Sequence, residues 1–483
     1  MSPNDSMEQE KAPVTATAAE HAVVHDVAER GHNATDQYGH ALVEFDPKAE
    51  AKLRRKIDFM IVPTVALLYL FCFIGNARLA GLEKDLHLKG YDYNAVLSVF
   101  YISYIIFEIP ANIFCKWIGP GWFIPSTSLG FGVLSVACAF VNDKAQVSGV
   151  RYRRAELAFR LSLYIVMAPL AGAFGGLLAS GILSLDHFGS LHTWRMIFGI
   201  EGVITIGLSL IAFTTLTDRP ETARWLTPEE KELAIARVKS ERVGTTMVLD
   251  KIDKKKILAG IFNPVTLATS FIFLLDNITV QGLAFFAPTI VKTIYPKQSV
   301  VHQQLRTVPP YIVGAVATVL IPYLSTKTDK RTIYFIASAP LMMVGYIMFL
   351  ATADASTRYG ATFIIAVGAF SYGALCNAQV SANVVSDTAR SSAIGTNVML
   401  GNIGGLISTW SFLPTDAPDY PIGNGLNLAT SSTILIVSVL LLVWMKWDNR
   451  KREGKDVDAE LAGLEQRQVE DLDWKHPAFR WRP

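Results

Sequence analysis

The sequence predicts an all-α membrane protein, and three observations predict it. Ten to eleven apolar stretches run through the chain in two blocks. Each is near the roughly 20 residues that a helix needs to cross a hydrocarbon core. The stretches are continuous rather than alternating, and only helices or closed barrels satisfy backbone groups in lipid, so each reads as a helix. Composition agrees: 51% of the 483 residues are hydrophobic and 18% are charged, where a soluble chain carries about 25% charge. Mean hydropathy is +0.31.

The elements follow in order. Residues 1–50 are polar and poor in aromatics, and are expected to form a disordered cytoplasmic tail. They lack a basic segment followed by a short apolar core, so the first span is expected to act as its own insertion signal. An N-terminal helix bundle is expected over 51–216, with spans near 57–74, 94–114, 122–141, 161–183 and 194–216. A charged linker with an amphipathic helix is expected over 217–260. In it Thr227 caps, Pro228 takes the first helical position and Glu230 completes a capping box. A C-terminal bundle is expected over 261–448, with spans near 264–287, 308–325, 332–352, 360–380, 392–413 and 427–447. Trp444 and Trp447 anchor its last span at the interface. Residues 449–483 form a second cytoplasmic tail.

Orientation follows from Lys and Arg. The flank before the first span, the central linker, the turn Lys327 to Arg331 and the C-terminal flank are basic, whereas the turn 414–425 has neither residue. The positive-inside rule places both termini and the linker in the cytoplasm. That placement needs an even number of spans in each block. The second block shows six and the first five. Residues 142–160 would have to cross, yet they carry Asp143, Lys144, Arg151, Arg153, Arg154 and Glu156. Each charge near a helix centre costs roughly 2.5–3.5 kcal/mol on insertion scales. The reading is that one helix has been lost; the alternative is an irregular crossing buried among neighbours.

Several segments are similar in wording to one family. Ile74-Gly75-Asn76-Ala77-Arg78-Leu79-Ala80-Gly81-Leu82-Glu83-Lys84-Asp85-Leu86 resembles the allantoate permease group, the fungal anion:cation symporter branch of the major facilitator superfamily. So do Tyr101-Ile102-Ser103-Tyr104-Ile105-Ile106-Phe107-Glu108-Ile109-Pro110-Ala111-Asn112, Trp194-Arg195-Met196-Ile197-Phe198-Gly199-Ile200-Glu201-Gly202 and Gly401-Asn402-Ile403-Gly404-Gly405. The likeness covers about residues 45 to 480 and includes His476-Pro477-Ala478-Phe479-Arg480. It implies a major facilitator fold, two six-helix bundles in ancestry, and proton-coupled uptake of small organic anions such as ureides or vitamin-type carboxylates. Two departures stand out. The family's Asp-Arg-x-Asn element before the Gly75-Asn76-Ala77 run is absent, and residues 152–160 resemble the turn after a fourth helix that is itself missing. The expected fold is therefore a major facilitator fold without its fourth helix.

Ionisable groups inside spans are expensive and are functional candidates by default. Glu108, Asp276 and Glu201 are the proton-coupling candidates. Asn94, Ser98, Tyr101, Tyr104, Glu108 and Asn112 recur at three and four residues, a polar stripe that faces a cavity or partner helices. Asp276 is followed by Asn277 and, at i+4 from it, Gln281. Asp276 reads as a midplane contact for substrate or proton, or as part of an interhelical hydrogen-bond cluster. Glu201 reads also as the partner of Arg195 in a structural ion pair. The substrate-cavity candidates are Asn76, Arg78, Tyr101, Tyr104, Asn112, Asn277, Gln281 and Asn402, with Arg78 a guanidinium suited to an anion. Ala168, Gly172, Gly176 and Ser180, and likewise Gly401 and Gly405, are spaced by four, as close helix packing requires.

Other classes find no support. Net charge is +2, which gives no basic surplus for nucleic acid. Cys72, Cys115, Cys138 and Cys376 lie in or beside apolar stretches without a CxxC pair and read as small buried hydrophobes. No P-loop, HExxH or GxSxG motif points to a pump or an enzyme. No cofactor or metal is expected. The expected partners are a small anionic substrate, protons and the bilayer, with a monomer at the plasma membrane by analogy of fold. The alternatives are efflux of an acidic secondary metabolite and a non-transporting product of aberrant splicing or of a misdrawn gene.

Overall fold

The computed structural model describes residues 46–72, 85, 90–140, 167–185, 187, 189–192, 194–217, 222–240, 254–453, 457, 460 and 472–483. Its elements are helices: α1 (Pro47–Cys72), α2 (Asp92–Ile118), α3 (Pro120–Ala139), α4 (Met167–Leu183), α5 (Trp194–Thr215), α6 (Pro228–Ser240), α7 (Lys254–Ile261), α8 (Pro264–Ile294), α9 (Val300–Thr328), α10 (Thr332–Ala351), α11 (Ala355–Ala369), α12 (Tyr372–Ala382), α13 (Asp387–Ser408) and α14 (Pro421–Glu453). Among the described residues, seven helices are long and apolar enough to cross a membrane: α3, α5, α8, α9, α10, the run Ala355–Ala382 and α14. Two shorter apolar runs, Asp92–Phe107 and Ala173–Leu183, lie in α2 and α4. The all-helical membrane class is the one the sequence predicts. The stretch 142–160, on which the lost fourth helix was inferred, lies outside the described residues.

Local chemistry sets the helix boundaries. Asn263 Oδ1 accepts from the backbone N–H of Val265 and Thr266 at 2.9 and 3.1 Å, with Pro264 at the first helical position of α8. Ser299, Asp354 and Ser386 cap α9, α11 and α13 in the same way. Gly119 alone joins α2 to α3 at φ +96°, a backbone state that favours glycine.

Two compact units divide the chain. The described part of the smaller comprises residues 46–57 and 222–240, with a core of Leu53, Ala223, Leu226 and Ala234. Here Thr227 N–H donates to Glu230 Oε2 at 3.0 Å and Glu230 N–H to Thr227 Oγ1 at 3.3 Å, the two bonds of a capping box. Lys56 Nζ donates to the same Glu230 oxygen at 2.5 Å. Burial pushes the Glu230 carboxyl up, but the bonds from Lys56 and Thr227 and the charges of Lys56 and Lys52 hold it below the usual carboxylate range.

The larger unit holds the membrane-crossing helices. α3 and α5 cross where Gly132 faces Gly202: a Cβ on Gly202 would stand 2.7 Å from Val136 N. α8 packs on α13, α10 on α11 and α14, and α12 on α8. Among the described residues, the N-terminal helices meet the C-terminal ones chiefly where α2 packs on α13 and α4 on α9. Gly176 of α4 makes the second possible, since its missing Cβ would lie 3.1 Å from Thr307 Oγ1. The C-terminal residues 472–483 fold back on the bundle end that bears α7. Trp481 is 2% exposed and packs with Trp444, Trp474 and Phe479.

Candidate functional site

The polar stripe of α2 faces α13. Asn94, Ser98 and Tyr101 are buried. Asn94 Nδ2 donates to the carbonyl of Thr409, and Trp410 Nε1 donates to Ser98 Oγ at 2.9 Å. Ser98 Oγ lies 3.4 Å from Thr409 Oγ1. One turn further along, the Tyr101 ring fills the space beside Gly405, where an added Cβ would meet it at 2.2 Å. The same ring lies edge-on to Phe285 of α8, centroids 6.1 Å apart.

α8 brings its amides to this contact. Asn277 stands against Gly401 and Gly404 of α13; a Cβ on Gly401 would lie 3.1 Å from Asn277 Nδ2. That nitrogen donates to the carbonyl of Phe273 at 2.9 Å, while Asn277 Oδ1 accepts from Gln281 Nε2 at 3.4 Å. Gln281 Oε1 and Asn402 Nδ2 are buried with no hydrogen-bond partner. A buried acceptor and a buried donor left unsatisfied are costly unless something else bonds to them. The structure thus gathers Tyr101, Asn277 and Gln281 with the α13 segment that carries Asn402.

Asp276 points the other way. Adjacent residues on a helix are turned by about 100°, and Asp276 faces the interior of the C-terminal bundle beside Tyr346 of α10 and Tyr372 and Cys376 of α12. It is 0% exposed, and neither carboxylate oxygen has a hydrogen-bond partner. Thr279, on the same face, donates to Asn427 Oδ1 of α14 at 2.7 Å. In a membrane such a bond contributes about 0.6–1.7 kcal/mol.

The remaining candidates lie elsewhere. Glu201 is 1% exposed on α5, next to Gly202 where α5 crosses α3. Arg195 lies 4.6 Å from the Trp194 ring centroid and donates to the Ala139 carbonyl at 3.2 Å. Glu108, Tyr104 and Asn112 belong to α2, but their side chains lie outside the described residues, as do Asn76 and Arg78 entirely. Among the described residues no three His, Cys, Asp or Glu side chains could hold a metal ion.

Two features escaped the sequence reading. Gln304 of α9 is fully buried with both amide atoms unpartnered. Asn424, Asn427, Ser431 and Ser438 form a buried stripe along α14. Their spacings of three, four and seven were a readable signal of a buried polar face.

Comparison with known proteins agrees with this architecture. The Major Facilitator Superfamily matches residues 145–409, more than half of the chain. An uncharacterized transporter of Schizosaccharomyces pombe is 30% identical over 467 residues, 90% of this chain and 91% of that one. The high-affinity nicotinic acid transporter of Saccharomyces cerevisiae is 27% identical over 462 residues, 89% of this chain and 85% of that one. Among solved structures, the proton:xylose symporter XylE superposes with a TM-score of 0.60 at 13% identity, covering 80% of this chain and 96% of its own. A bacterial homolog of the lysosomal transporter Spinster, in an inward-facing state, gives 0.55 at 14% identity, covering 83% and 96%. With two helical halves meeting at α2–α13 and α4–α9, and with these relatives matched over most of its length, the chain belongs to the Major Facilitator Superfamily and is a multi-pass transporter.

Proposed function

We propose that this transporter takes up a small organic anion together with a proton, as a member of the anion:cation symporter branch that includes the allantoate permeases. The observation that carries the reading is Asp276. A carboxylate with no partner in a lipid-embedded bundle is held at a cost of several kcal/mol if charged, and as the neutral acid far more cheaply. It is next in sequence to Asn277, which packs on the stretch of α13 that Tyr101 of α2 also meets. A proton on one face of α8 and a substrate against the other would both bias the same helix. Transporter sites form near the midplane between repeats, and the packing of Tyr101 of α2 and Asn277 of α8 on one stretch of α13 supports a site there. The nicotinic acid transporter relative supports a carboxylate substrate. The charge asymmetry supports cytoplasmic termini, with α7 and the C-terminal segment on the cytoplasmic side of a plasma membrane.

The test is uptake of labelled nicotinate, as a probe carboxylate, by purified protein in liposomes with an imposed pH gradient. An acidic exterior should drive accumulation. Asp276→Asn should abolish the response to the gradient and keep counterflow exchange. Accumulation by wild type that ignores the gradient would refute proton coupling, and absence of counterflow would refute this substrate class.

A further inference from the structure

The turn between α8 and α9 lies at the end of the C-terminal half opposite α7. The turn that joins α13 to α14 lies at the same end: its Tyr420 packs on Phe412, and Phe412 on Phe286 of α8. Residues 414–425 carry neither Lys nor Arg, whereas Lys292, Lys297 and Arg306 gather around the α8–α9 turn. From Asn277 to Thr328 there is no Asp or Glu. The bias that orients the chain keeps Lys and Arg off this side, so a basic turn here needs another reason. Lys292 ends α8, where a helix C-terminus favours a cation, and Lys297 is exposed. Arg306 differs from both: it is partly buried, and a frame is built around it.

The frame begins with Gln303, which is 2% exposed. Its Nε2 donates to the carbonyls of Tyr295 and Gln298 at 3.0 and 3.1 Å and so pins the turn to α9. Gln298 Oε1 in turn accepts from Arg306 Nε at 2.8 Å. The guanidinium lies over the Tyr295 ring, with Cζ 4.0 Å from the centroid. Tyr359 of α11 stands 5.8 Å away, and its hydroxyl donates to the Arg306 carbonyl at 3.0 Å. The two tyrosines meet edge to face, centroids 5.9 Å apart. A planar guanidinium held this way loses little freedom when it binds. The frame uses Nε and one face. It leaves both terminal nitrogens without a hydrogen bond or a carboxylate among the described residues.

The acids of this end are committed elsewhere. Asp354 caps α11, accepting from Thr357 N–H and Oγ1 at 2.8 and 2.9 Å. Asp416 accepts from the N–H groups of Ile422 and Gly423. Asp419 pairs with Arg358 at 2.6 Å. Arg358 shows what a structural arginine looks like here: it has that carboxylate and also donates to the carbonyls of Thr352 and Phe349. Arg306 is as firmly seated but has no anion. We propose that Arg306, seated on Tyr295 and Tyr359, is a binding site for a small carboxylate at the outer end of the C-terminal half, and that it captures the substrate anion there. The paired terminal N–H groups match a carboxylate in bidentate geometry, and Lys292 and Lys297 add a field that draws anions to the turn. The proposal rests on the organic-anion substrate and the cytoplasmic placement of α7 proposed above.

The first test is modification of wild-type protein by phenylglyoxal, an arginine reagent, in phosphatidylcholine liposomes, with Arg306 followed by peptide mass spectrometry. Nicotinate should suppress labelling of Arg306, and nicotinamide, its uncharged amide, should not. If wild type carries nicotinate while labelling of Arg306 ignores it, the capture site is wrong and the proposed function stands. If nicotinate protects Arg306 but is not carried, that substrate fails and the anion site stands. Loss of labelling on addition of phosphatidylglycerol, with none from nicotinate, would make Arg306 a headgroup contact and overturn the proposal. The second test is kinetic. R306Q should raise the KM for nicotinate roughly tenfold, the weight of one charge-assisted hydrogen bond, with kcat unchanged. R306K, which keeps the charge and loses the fork, should fall between R306Q and wild type. A lower kcat at unchanged KM in both variants would give Arg306 a structural role only.

Discussion

Glycines decide how closely the helices of this transporter approach. A Cβ on Gly404 would stand 2.1 Å from the carbonyl oxygen of Leu274, a backbone atom that cannot step aside. On Gly130 the same atom would meet nothing within 4 Å. Gly404→Ala should therefore destabilise the α8–α13 pair by about 1–3 kcal/mol, the usual cost of overpacking a filled site, whereas Gly130→Ala should be close to neutral. Thermal unfolding in detergent measures both. Equal midpoints for the two variants would mean that the seam is looser than its geometry. The spacing of Gly401 and Gly405 announced close packing in the sequence. It could not announce that Tyr101 and Asn277 are what these glycines admit, because the pairing of α2 and α8 with α13 is long-range.

At the scale of an element, the C-terminal segment acts as a strap. Asp473 accepts from the N–H groups of Val385 and Ser386 at 3.2 and 3.0 Å. Trp474 Nε1 donates to Ala259 at 3.1 Å, Arg482 exchanges bonds with Asn383, and Pro483 accepts from Arg331 N–H. One short segment thus ties α7, α10, α13 and α14 together. Trp481 is its anchor, buried with Nε1 donating to Asp448 at 2.6 Å. Trp481→Ala should cost about 3–5 kcal/mol, as large-to-small changes in packed sites do, and should release the segment to protease. Protease resistance equal to wild type would show that the strap does not depend on its anchor. His476 adds a pH dependence. Burial holds its imidazole below the ordinary value, and Nδ1 accepts from Ala478 N–H at 3.2 Å, which requires the neutral ring. The released segment binds a proton more readily than the docked one. Docking is thus full above the ordinary imidazole value, weakens as pH falls below it, and stops weakening once the docked ring is also protonated. Protease sensitivity should rise with acidification in that window, and His476→Phe should flatten the response; a persistent rise in that variant would place the titration elsewhere.

At the scale of the molecule, the helices were readable because each must satisfy its backbone in lipid, and that demand is written in runs of apolar residues. The site was readable in part. The stripe of Asn94, Ser98 and Tyr101 and the pair Asn277 and Gln281 stood out as polar groups in apolar surroundings, and they share one seam. The opposite facing of Asp276 and Asn277 was not readable: it depends on which neighbours enclose α8, and sequence periodicity ranks faces without naming what packs on them.

The same seam tests whether the two halves move. Alternating access is rigid-body rocking of one bundle against the other, so the α2–α13 contact at Ser98 and Thr409 must open in each cycle. Their hydroxyl oxygens lie 3.4 Å apart, which brings paired cysteines within the reach of a disulfide. Cys115, Cys138 and Cys376 are buried, and the pair is made in a Cys72→Ser background. S98C/T409C should transport when reduced, stop when oxidised and recover with reductant. Each single variant should ignore oxidation. Full transport by the oxidised, cross-linked pair would show that substrate crosses without parting α2 from α13, and the rocking mechanism would have to be abandoned for this chain.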